Sequence, residues 1–243
     1  MEFAKAQKYS ARVSDKYYLT DNEKFLYVKC ELVLPDRIEY QAGQYVSIKV
    51  NEVGERRSYS IVSTPDDNHG FHLLAEMVEG GKGSAFLKNI QIGGAVEILA
   101  PLGRFVVADA QASNKLLFVV TGSGIAPIYA MINDLLLNKR ETRQIRLHWG
   151  LKNEANMFWF DNFERLMESY PNFVFDPVLS QPGEDWDLCS GHVQDCLKRD
   201  FGSAGLKGWE GYVCGNPTMV EEVSVLLPQL GMDSTLIYRE KFT

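Results

Sequence analysis

The stretch "LLFVVTGSGIAP", residues 116–127, marks a change in the character of the chain. Its first five residues form a continuous apolar run, which is typical of a parallel strand covered on both faces. Gly122 and Gly124 follow, and the next residues, "PIYAMINDLLLNK" (127–139), have helical spacing. This order of strand, glycine turn and helix predicts the first part of an α/β sheet.

Downstream of this stretch, predicted strands and helices alternate. The strands are "IRLHWG" (145–150), "FVFDPVLS" (173–180), "GYVCG" (211–215) and "TLIYREKF" (235–242), and the helices lie around "FWFDNFERLMES" (158–169), "GHVQDCLKRD" (191–200) and "PTMVEEVSVLLPQL" (217–230). Such alternation predicts a doubly wound parallel sheet.

Upstream of it, short β-rich segments recur between turn signals. They are "FLYVKCEL" (25–32), "QYVSIKV" (44–50), "RSYSIV" (57–62), "GFHLLAEMV" (70–78) and "AVEILA" (95–100), with one helical stretch, "GSAFLKNI" (83–90). Strands at this spacing favour an antiparallel barrel or sandwich. We therefore predict two domains: an antiparallel β-barrel over residues 1–110 and a doubly wound α/β domain over residues 111–243.

Composition narrows the function. No run of apolar residues reaches the roughly 20 that span a bilayer, and the first twenty residues are too polar for a signal peptide, so we expect a cytoplasmic protein without membrane contact. A net charge of −7 argues against nucleic-acid binding. The four cysteines form no close pair, which favours reduced thiols over disulfides or zinc, and the four histidines show no ligand pattern. We expect no metal site.

Two strand-to-helix turns of the second domain are candidate ligand sites. In "VVTGSGIAP" (119–127), backbone N–H groups and the helix dipole could hold a pyrophosphate, although the third glycine of G-x-G-x-x-G is missing. A plain tight turn explains the same residues. In "GYVCGNPTMVEEV" (211–223), Cys214 is either a small buried side chain or a group that faces a ligand.

The loop "EGGKGSAFL" (79–87) is a third candidate site. It is not a Walker A motif, because Lys82 is followed by Gly83 rather than Ser or Thr and Glu76 stands where the first glycine should be. The segment is instead interpreted as a flexible loop that leads into a short helix beginning at Ser84. Either an anion site or a plain glycine turn fits.

The segment "ERRSYSIVSTP" (55–65) combines a cation, a phenol and a hydroxyl on one strand. Alternation places Arg57 and Tyr59 on one face and Ser58 and Ser60 on the other. Together they could bind an extended ligand with phosphate, sugar alcohol and heteroaromatic parts. The alternative is an amphipathic barrel strand with an exposed Arg-Tyr stripe.

Taken in order, these motifs resemble those of the ferredoxin–NAD(P) reductase superfamily over essentially the whole chain. The matching segments are "RSYS" (57–60), "GGKGS" (80–84), "PLGRF" (101–105), "TGSGIAP" (121–127), "CGNPTM" (214–219) and the final "YREKFT" (238–243). Each motif is weak alone, but their order across a barrel-to-α/β switch makes a strong match.

The resemblance implies roles for the flavin-binding residues. Arg57 would bind the flavin phosphate or pyrophosphate, Tyr59 would pack on the ring and bond the ribityl chain, and Ser60 would sit at the redox-active nitrogen. Arg56 falls outside the motif and is expected to be a solvated neighbour. The remaining flavin contacts would come from Ser58, from the backbone of Met77 and Val78, and from Gly83 and Ser84 at a phosphate.

The resemblance also implies a nicotinamide-nucleotide site. Cys214 would approach the hydride-bearing carbon, and Phe242 would cover the flavin face that the nicotinamide must take. The nucleotide contacts would be Thr121, Gly122 and Gly124 at the pyrophosphate, with Lys152, Ser180, Gly215 and Met219. Gln181 stands where many NADPH-selective members have arginine, whereas Lys152 keeps a cation nearby, so the sequence leaves NADPH and NADH open.

The implied protein is an FAD-containing oxidoreductase that transfers a hydride between NADPH or NADH and FAD. It would exchange single electrons with a separate ferredoxin, flavodoxin or oxygenase component, because no C-x4-C-x2-C pattern for an iron–sulfur domain is present. A monomer is expected. Two alternatives stay open: an NAD(P)H:flavin reductase that releases reduced flavin, and a non-catalytic flavin- or nucleotide-sensing subunit. FAD rather than FMN, the acceptor and the direction of electron flow are not determined by the sequence.

Overall fold

The computed structural model describes residues 3–108 and 113–242. The chain divides into two compact units, Met1–Asp109 with Ala126–Lys139, and Ala110–Ile125 with Arg140–Thr243. The domain boundary predicted at residues 110 and 111 lies outside the described residues and stays a prediction.

The first unit contains a six-stranded antiparallel sheet. Its strands are β1 (Gln7–Tyr18), β2 (Phe25–Leu32), β3 (Tyr45–Lys49), β4 (Arg56–Ser60), β5 (Gly70–Glu76) and β6 (Ala95–Leu102), in the spatial order β4-β3-β6-β1-β2-β5. Ile61, directly after β4, bridges Leu73 in β5, so the two end strands of the sheet meet and close it. The predicted antiparallel barrel is confirmed.

Alternation of side chains builds the core of this barrel. In β2, for example, Leu26, Val28, Cys30 and Leu32 are all buried on one face. The long strand β1 was not predicted, because its alternation is interrupted where the pairing register with β2 shifts between Val13 and Asp15. Helix α1 (Lys82–Asn89) lies in the chain between β5 and β6.

The second unit contains a six-stranded parallel sheet. Its strands are β7 (Lys115–Thr121), β8 (Gln144–Leu151), β9 (Phe173–Leu179), β10 (Cys189–Ser190), β11 (Trp209–Gly215) and β12 (Ile237–Lys241), in the order β10-β9-β8-β7-β11-β12. The order reverses between β7 and β11, which is the point where doubly wound sheets bind their ligands. The predicted α/β fold is confirmed.

Helices cover both faces of this sheet. The helices of the second half of the chain are α3 (Phe160–Ser169), α4 (Val193–Phe201) and α5 (Pro217–Gln229). Helix α2 (Ile125–Asn133) lies between β7 and β8 in the chain and continues into a π-helical turn (Asp134–Asn138). On one face Phe163 of α3 packs against Trp149 and Phe175. On the other face α4 and α5 form an apolar cluster with side chains such as Leu117 and Val213. None of the described helices is long and apolar enough to cross a membrane.

Two of the four cysteines are bonded to each other, so the expectation of reduced thiols is wrong for this pair. Cys189 in β10 and Cys196 in α4 form a disulfide with their Cα atoms 6.5 Å apart. Gly191, at φ 107°, turns the chain sharply between the two elements and brings the sulfur atoms together. Cys30 and Cys214 are free and buried.

Candidate functional site

In the first unit, Arg57, Tyr59 and Gly83 form one cluster. Arg57 and Tyr59 point to the same side of β4, where a Cβ on Gly83 would overlap Tyr59 Oη and lie 3.1 Å from Arg57 Cγ. Glycine in the first turn of α1 therefore lets the helix approach both side chains. Burial raises the pKa of the Tyr59 phenol to about 12, so at neutral pH this group keeps its proton and can donate a hydrogen bond.

The two adjacent arginines have different surroundings. Arg56 Nη2 donates to the Ser47 carbonyl at 2.6 Å, and its Nη1 donates to Glu97 Oε1 at 2.9 Å. Arg57 is exposed, and its Nη1 donates to the Arg56 carbonyl at 2.7 Å. Among residues 3–108 and 113–242, no carboxylate lies within 4.0 Å of the Arg57 guanidinium. The expectation of a solvated Arg56 is wrong, and Arg57 has the charge that remains available to an anion.

The start of α1 offers backbone donors beside Arg57. No side chain caps the helix at Gly81, and an uncapped helix start next to a guanidinium fits a phosphate group. The Ser84 hydroxyl accepts the Val78 N–H at 2.9 Å, and the Met77 N–H donates to the Lys24 carbonyl at 2.8 Å. Both of these N–H groups are thus satisfied within the chain, and the predicted flavin contacts of the two residues stay predictions.

The two serines of the motif differ in exposure. Ser58 is exposed, whereas Ser60, at the end of β4, is only 4% exposed. The register places Ser58 opposite Ser47 and Ser60 opposite Tyr45. Their roles toward a flavin stay predictions.

In the second unit, the turns after β7 and β11 are locked together by two glycines. A Cβ on Gly124 would lie 2.5 Å from the Cys214 carbonyl oxygen, and one on Gly215 would lie 2.5 Å from Thr121 Oγ1. The Asn216 N–H also donates to Thr121 Oγ1 at 3.2 Å. Gly124, a predicted pyrophosphate contact, therefore also permits the close contact between these two turns, at the point where the strand order reverses.

The two helix starts at this point are not equivalent. Asn216 caps α5, because its Oδ1 accepts the N–H groups of Thr218 at 2.9 Å and Met219 at 3.4 Å. The 3₁₀ turn Gly122–Gly124, which leads into α2, has no side-chain cap. A pyrophosphate therefore fits the turn after β7 better than the start of α5.

The other residues predicted to contact the nucleotide differ in how exposed they are. Met219 is buried at 6% exposure in the apolar cluster of α4 and α5, Lys152 is exposed, and Ser180 is half-buried at the end of β9. The Phe242 N–H donates to the Gly215 carbonyl at 3.0 Å, which ties the last described residue to the turn after β11.

Trp149 supports the turn after β7 and was not predicted. Its indole N–H donates to the Gly122 carbonyl at 3.1 Å, and Gly122 adopts φ 54°. The indole is 2% exposed and makes edge-on contacts with Phe158 and Phe163, which fix its position. The sequence signal for this support of the Gly122 turn is slight, namely an aromatic residue with an N–H donor near the end of β8.

We expect Trp149→Phe to weaken coenzyme binding, because the variant keeps the aromatic packing and loses the hydrogen bond to Gly122. A loss of about 1 kcal/mol corresponds to a rise of about fivefold in the KM for the preferred coenzyme. Trp209→Phe is the control for loss of a buried indole, because Trp209 begins β11, at the end of the strand away from the turn that follows Gly215. Equal KM values in the two variants would show that Trp149 is only a core residue.

Glu240 lies beside Cys214 and is a second residue that the sequence did not reveal. The parallel register pairs Cys214 of β11 with Glu240 of β12, and Glu240 Oε2 is buried without a hydrogen-bond partner among the described residues. Burial raises the pKa of the Glu240 carboxyl to about 7. Burial first, and Glu240 second, raise the pKa of the Cys214 thiol well above its ordinary value, so this cysteine is a neutral thiol at physiological pH.

The raised pKa of Glu240 predicts a pH-dependent stability. From the ordinary value of 4.5 up to about 7, the unfolded chain releases this proton and the folded chain retains it, so stability falls as the pH rises through this window. Glu240→Gln should remove the loss and stabilise the protein at pH 8 by on the order of 3 kcal/mol, with little effect at pH 4.

Urea unfolding followed by tryptophan fluorescence reads out this effect, because all four tryptophans belong to the second unit. Glu168→Gln on α3 is the control, since it removes the same charge from an exposed position. A pH-independent difference between Glu240→Gln and the parent protein would contradict the assigned pKa.

One polar cluster in this unit resembles a metal site in composition only. Ligand atoms of His148, Asp176 and Asp200 lie within 4.8 Å of one another. However, Arg146 donates to Asp176 Oδ2 at 2.6 Å and to Asp200 Oδ2 at 2.7 Å, so a guanidinium already supplies the cation. The His148 hydrogen bond is the main cause that lowers the pKa of Asp200 to about 2. We interpret the cluster as an internal ion-pair network.

Each half of the chain matches a known protein family. Residues 10–107 match the family described as "Oxidoreductase FAD-binding domain", and residues 118–224 match the one described as "Oxidoreductase NAD-binding domain". Together the two matches cover most of the chain, in the order of the two folds.

Curated relatives are reductase components. The chain is 34% identical over 239 residues to the phenol 2-monooxygenase reductase component DmpP of Pseudomonas sp. strain CF600, covering 97% of this chain and 66% of the relative. It is 31% identical over 216 residues to an aromatic O-demethylase reductase subunit of Amycolatopsis sp., covering 87% of this chain and 64% of the relative. The chain spans 60% to 66% of the length of the first relatives it matches.

Solved structures agree with the fold. The cytochrome P450 reductase GcoB of Amycolatopsis superposes with a TM-score of 0.87 at 27% identity, over 98% of this chain and 70% of that one. A ferredoxin NADP+ reductase from Neisseria gonorrhoeae, solved with FAD and NADP, superposes with a TM-score of 0.79 at 21% identity, over 98% of this chain and 99% of that one. At that identity the second likeness supports the fold alone.

Proposed function

Because the chain belongs to the oxidoreductase family that joins an FAD-binding domain to an NAD-binding domain, we propose that it is a flavoprotein reductase. It takes a hydride from NADH or NADPH and passes electrons singly to a separate redox component. The observation that carries this proposal is the presence, on one chain, of two phosphate-compatible helix starts with different partners: Arg57 and Tyr59 at α1, and the uncapped glycine turn before α2.

The residues of the first unit bind and orient FAD in this proposal. Arg57 binds a phosphate, Gly83 and Ser84 supply donors at the start of α1, and Tyr59 holds the ring and the ribityl chain with a phenol that stays protonated. Ser60 lies at the reacting edge of the ring. When bound, FAD accepts two electrons as a hydride and releases them one at a time.

The residues of the second unit bind and orient the coenzyme. Thr121, Gly122 and Gly124 hold the pyrophosphate, and Trp149 keeps this turn in place through the Gly122 carbonyl. Cys214 stays a neutral thiol at the nicotinamide end, so it contributes shape rather than charge, and Phe242 covers the flavin. Since positioning and electrostatics supply most of the catalysis in such enzymes, the chain needs no strong acid or base at the reacting atoms.

An oxygenase component is the proposed electron acceptor. Support comes from the names of the relatives, which are reductase components of a phenol 2-monooxygenase and a terephthalate 1,2-dioxygenase, a reductase subunit of an aromatic O-demethylase and an electron transfer component of an anthranilate 1,2-dioxygenase. The four cysteines of this sequence do not have the C-x4-C-x2-C spacing of a plant-type iron–sulfur cluster, which favours an acceptor on a separate molecule. A ferredoxin or flavodoxin is the second acceptor class.

Anaerobic titration of the purified protein with NADH and with NADPH tests the proposal. The flavin absorbance should bleach within seconds with at least one coenzyme, and FAD should stay bound through gel filtration. Failure to bleach with both would overturn the reductase function and favour a sensing subunit. Rapid turnover with loss of FAD from the protein would favour the NAD(P)H:flavin reductase alternative instead.

A further inference from the structure

The segments that follow β8 and β9 run side by side beyond the ends of the two strands. The Ser180 N–H donates to the Leu151 carbonyl at 3.0 Å, and the Gln181 N–H donates to the Lys152 carbonyl at 2.8 Å. The next contact uses a side chain, because the Gly183 N–H donates to Glu154 Oε1 at 2.7 Å. These contacts hold the Glu154 carboxylate at the carboxyl ends of β8 and β9.

Glu154 is exposed and keeps one carboxylate oxygen for another partner. It begins the 3₁₀ turn Glu154–Asn156, three residues after the end of β8, and Gly183 uses only Oε1. β8 directly neighbours β7, the strand whose turn fits the pyrophosphate. In doubly wound sheets that bind dinucleotides, a carboxylate in the region of the second strand's end accepts a hydrogen bond from the 2′-hydroxyl of the adenosine ribose.

We propose that Glu154 makes the coenzyme site selective for NADH over NADPH, an inference that rests on the proposed reductase function. Its carboxylate accepts a hydrogen bond from the free 2′-hydroxyl of NADH and repels the phosphate that NADPH carries on the same oxygen. A 2′-phosphate has a charge of about −1.5 to −2 at neutral pH, and it accepts hydrogen bonds but offers no donor to a carboxylate.

The charge of the surrounding loop acts in the same direction. Glu184, Asp185 and Asp187 follow Gly183 in the sequence, and all three are exposed. Lys152, the cation near the end of β8, is exposed on a flexible stem. Carboxylates on the loop that carries Gly183 disfavour the approach of an additional dianion to it.

The groups that could favour NADPH are weak here. Gln181 is uncharged, so the position after Ser180 lacks the planar fork with which arginine binds a phosphate. The Ser180 hydroxyl is directed at the Leu151 carbonyl, 3.5 Å away. Lys152 keeps a cation nearby, but of these two charged side chains it is Glu154 whose position is fixed by a hydrogen bond, from the Gly183 N–H.

Binding of adenosine fragments to the FAD-loaded protein tests the inference without catalysis. Isothermal titration with 5′-AMP and 2′,5′-ADP compares the two ribose forms directly, and we expect tighter binding of 5′-AMP. Glu154→Gln keeps an oxygen acceptor for the Gly183 N–H and removes the charge. In this variant the affinity for 2′,5′-ADP relative to 5′-AMP should rise about fivefold at low salt, and less at high salt.

Glu168→Gln on α3 is the matched control, since it changes the net charge equally from an exposed position of the same unit. The inference is overturned when the parent protein binds 2′,5′-ADP at least as tightly as 5′-AMP, or when the two variants have the same fragment ratio.

The outcome is separable from that of the reductase proposal. A fragment preference that Glu154→Gln removes, in a protein whose flavin neither coenzyme reduces, would support the selectivity and overturn the redox function. Flavin reduction by both coenzymes with equal efficiency, unchanged in Glu154→Gln, would overturn the selectivity and support the function.

Discussion

Gly215→Ala should abolish most flavin reduction by either coenzyme and strongly destabilise the second unit. The new methyl group would lie 2.5 Å from Thr121 Oγ1 and 2.7 Å from the Thr121 carbonyl oxygen, and Gly215 adopts φ 132°. Backbone atoms cannot move aside as a flexible side chain does. Strain and overlap together should lower the free energy of unfolding by about 3 kcal/mol or more. Displacement of the turn by about 1 Å should slow reduction roughly 100-fold.

Gly208→Ala separates the two causes. Gly208 immediately precedes β11 and has φ 81°, but a Cβ there would meet no atom within 4 Å. This control should cost about 1 kcal/mol from backbone strain alone and leave flavin reduction unchanged. Urea unfolding followed by tryptophan fluorescence and stopped-flow bleaching give the two readouts. Similar losses in both variants would mean that the contact between the turns after β7 and β11 is unimportant.

Arg57→Gln should release FAD from the protein. The guanidinium has no carboxylate partner among the described residues, and it lies next to the uncapped start of α1. Removal of a charge-assisted hydrogen bond to a phosphate costs about 1.5 to 3 kcal/mol, so the Kd for FAD should rise about 10- to 150-fold. Flavin fluorescence after ultrafiltration at several protein concentrations measures this Kd.

Arg56→Gln is the neighbouring control with the opposite expected result. Its guanidinium already donates to Ser47 and Glu97, so the loss should lower the stability of the first unit by about 1 kcal/mol and leave the Kd for FAD within about twofold. An equal rise of the Kd in both variants would contradict the assignment of the phosphate to Arg57.

Local sequence patterns predicted the architecture of this protein. The apolar run 116–120 and the glycine turn behind it predicted a parallel strand and its helix, and the structure has β7 and α2 there. Alternation in "RSYS" placed Arg57 and Tyr59 on one side, and they do share the cluster with Gly83. Such predictions succeed because the repeats of strands and helices depend on neighbours along the chain. β1 was missed because a shift in register interrupts its alternation.

The sequence by itself determined the two folds, their order, and which segments end strands where a nucleotide can bind. Only the tertiary structure decided which side chains are already satisfied. It distinguished Arg56 from Arg57, paired Cys189 with Cys196, brought Trp149 to Gly122, and placed Glu240 beside Cys214 and Glu154 beside Gly183. The physical reason is that hydrogen bonds, burial and pKa depend on distances between residues far apart in the chain. Those distances exist only after the sheets have formed.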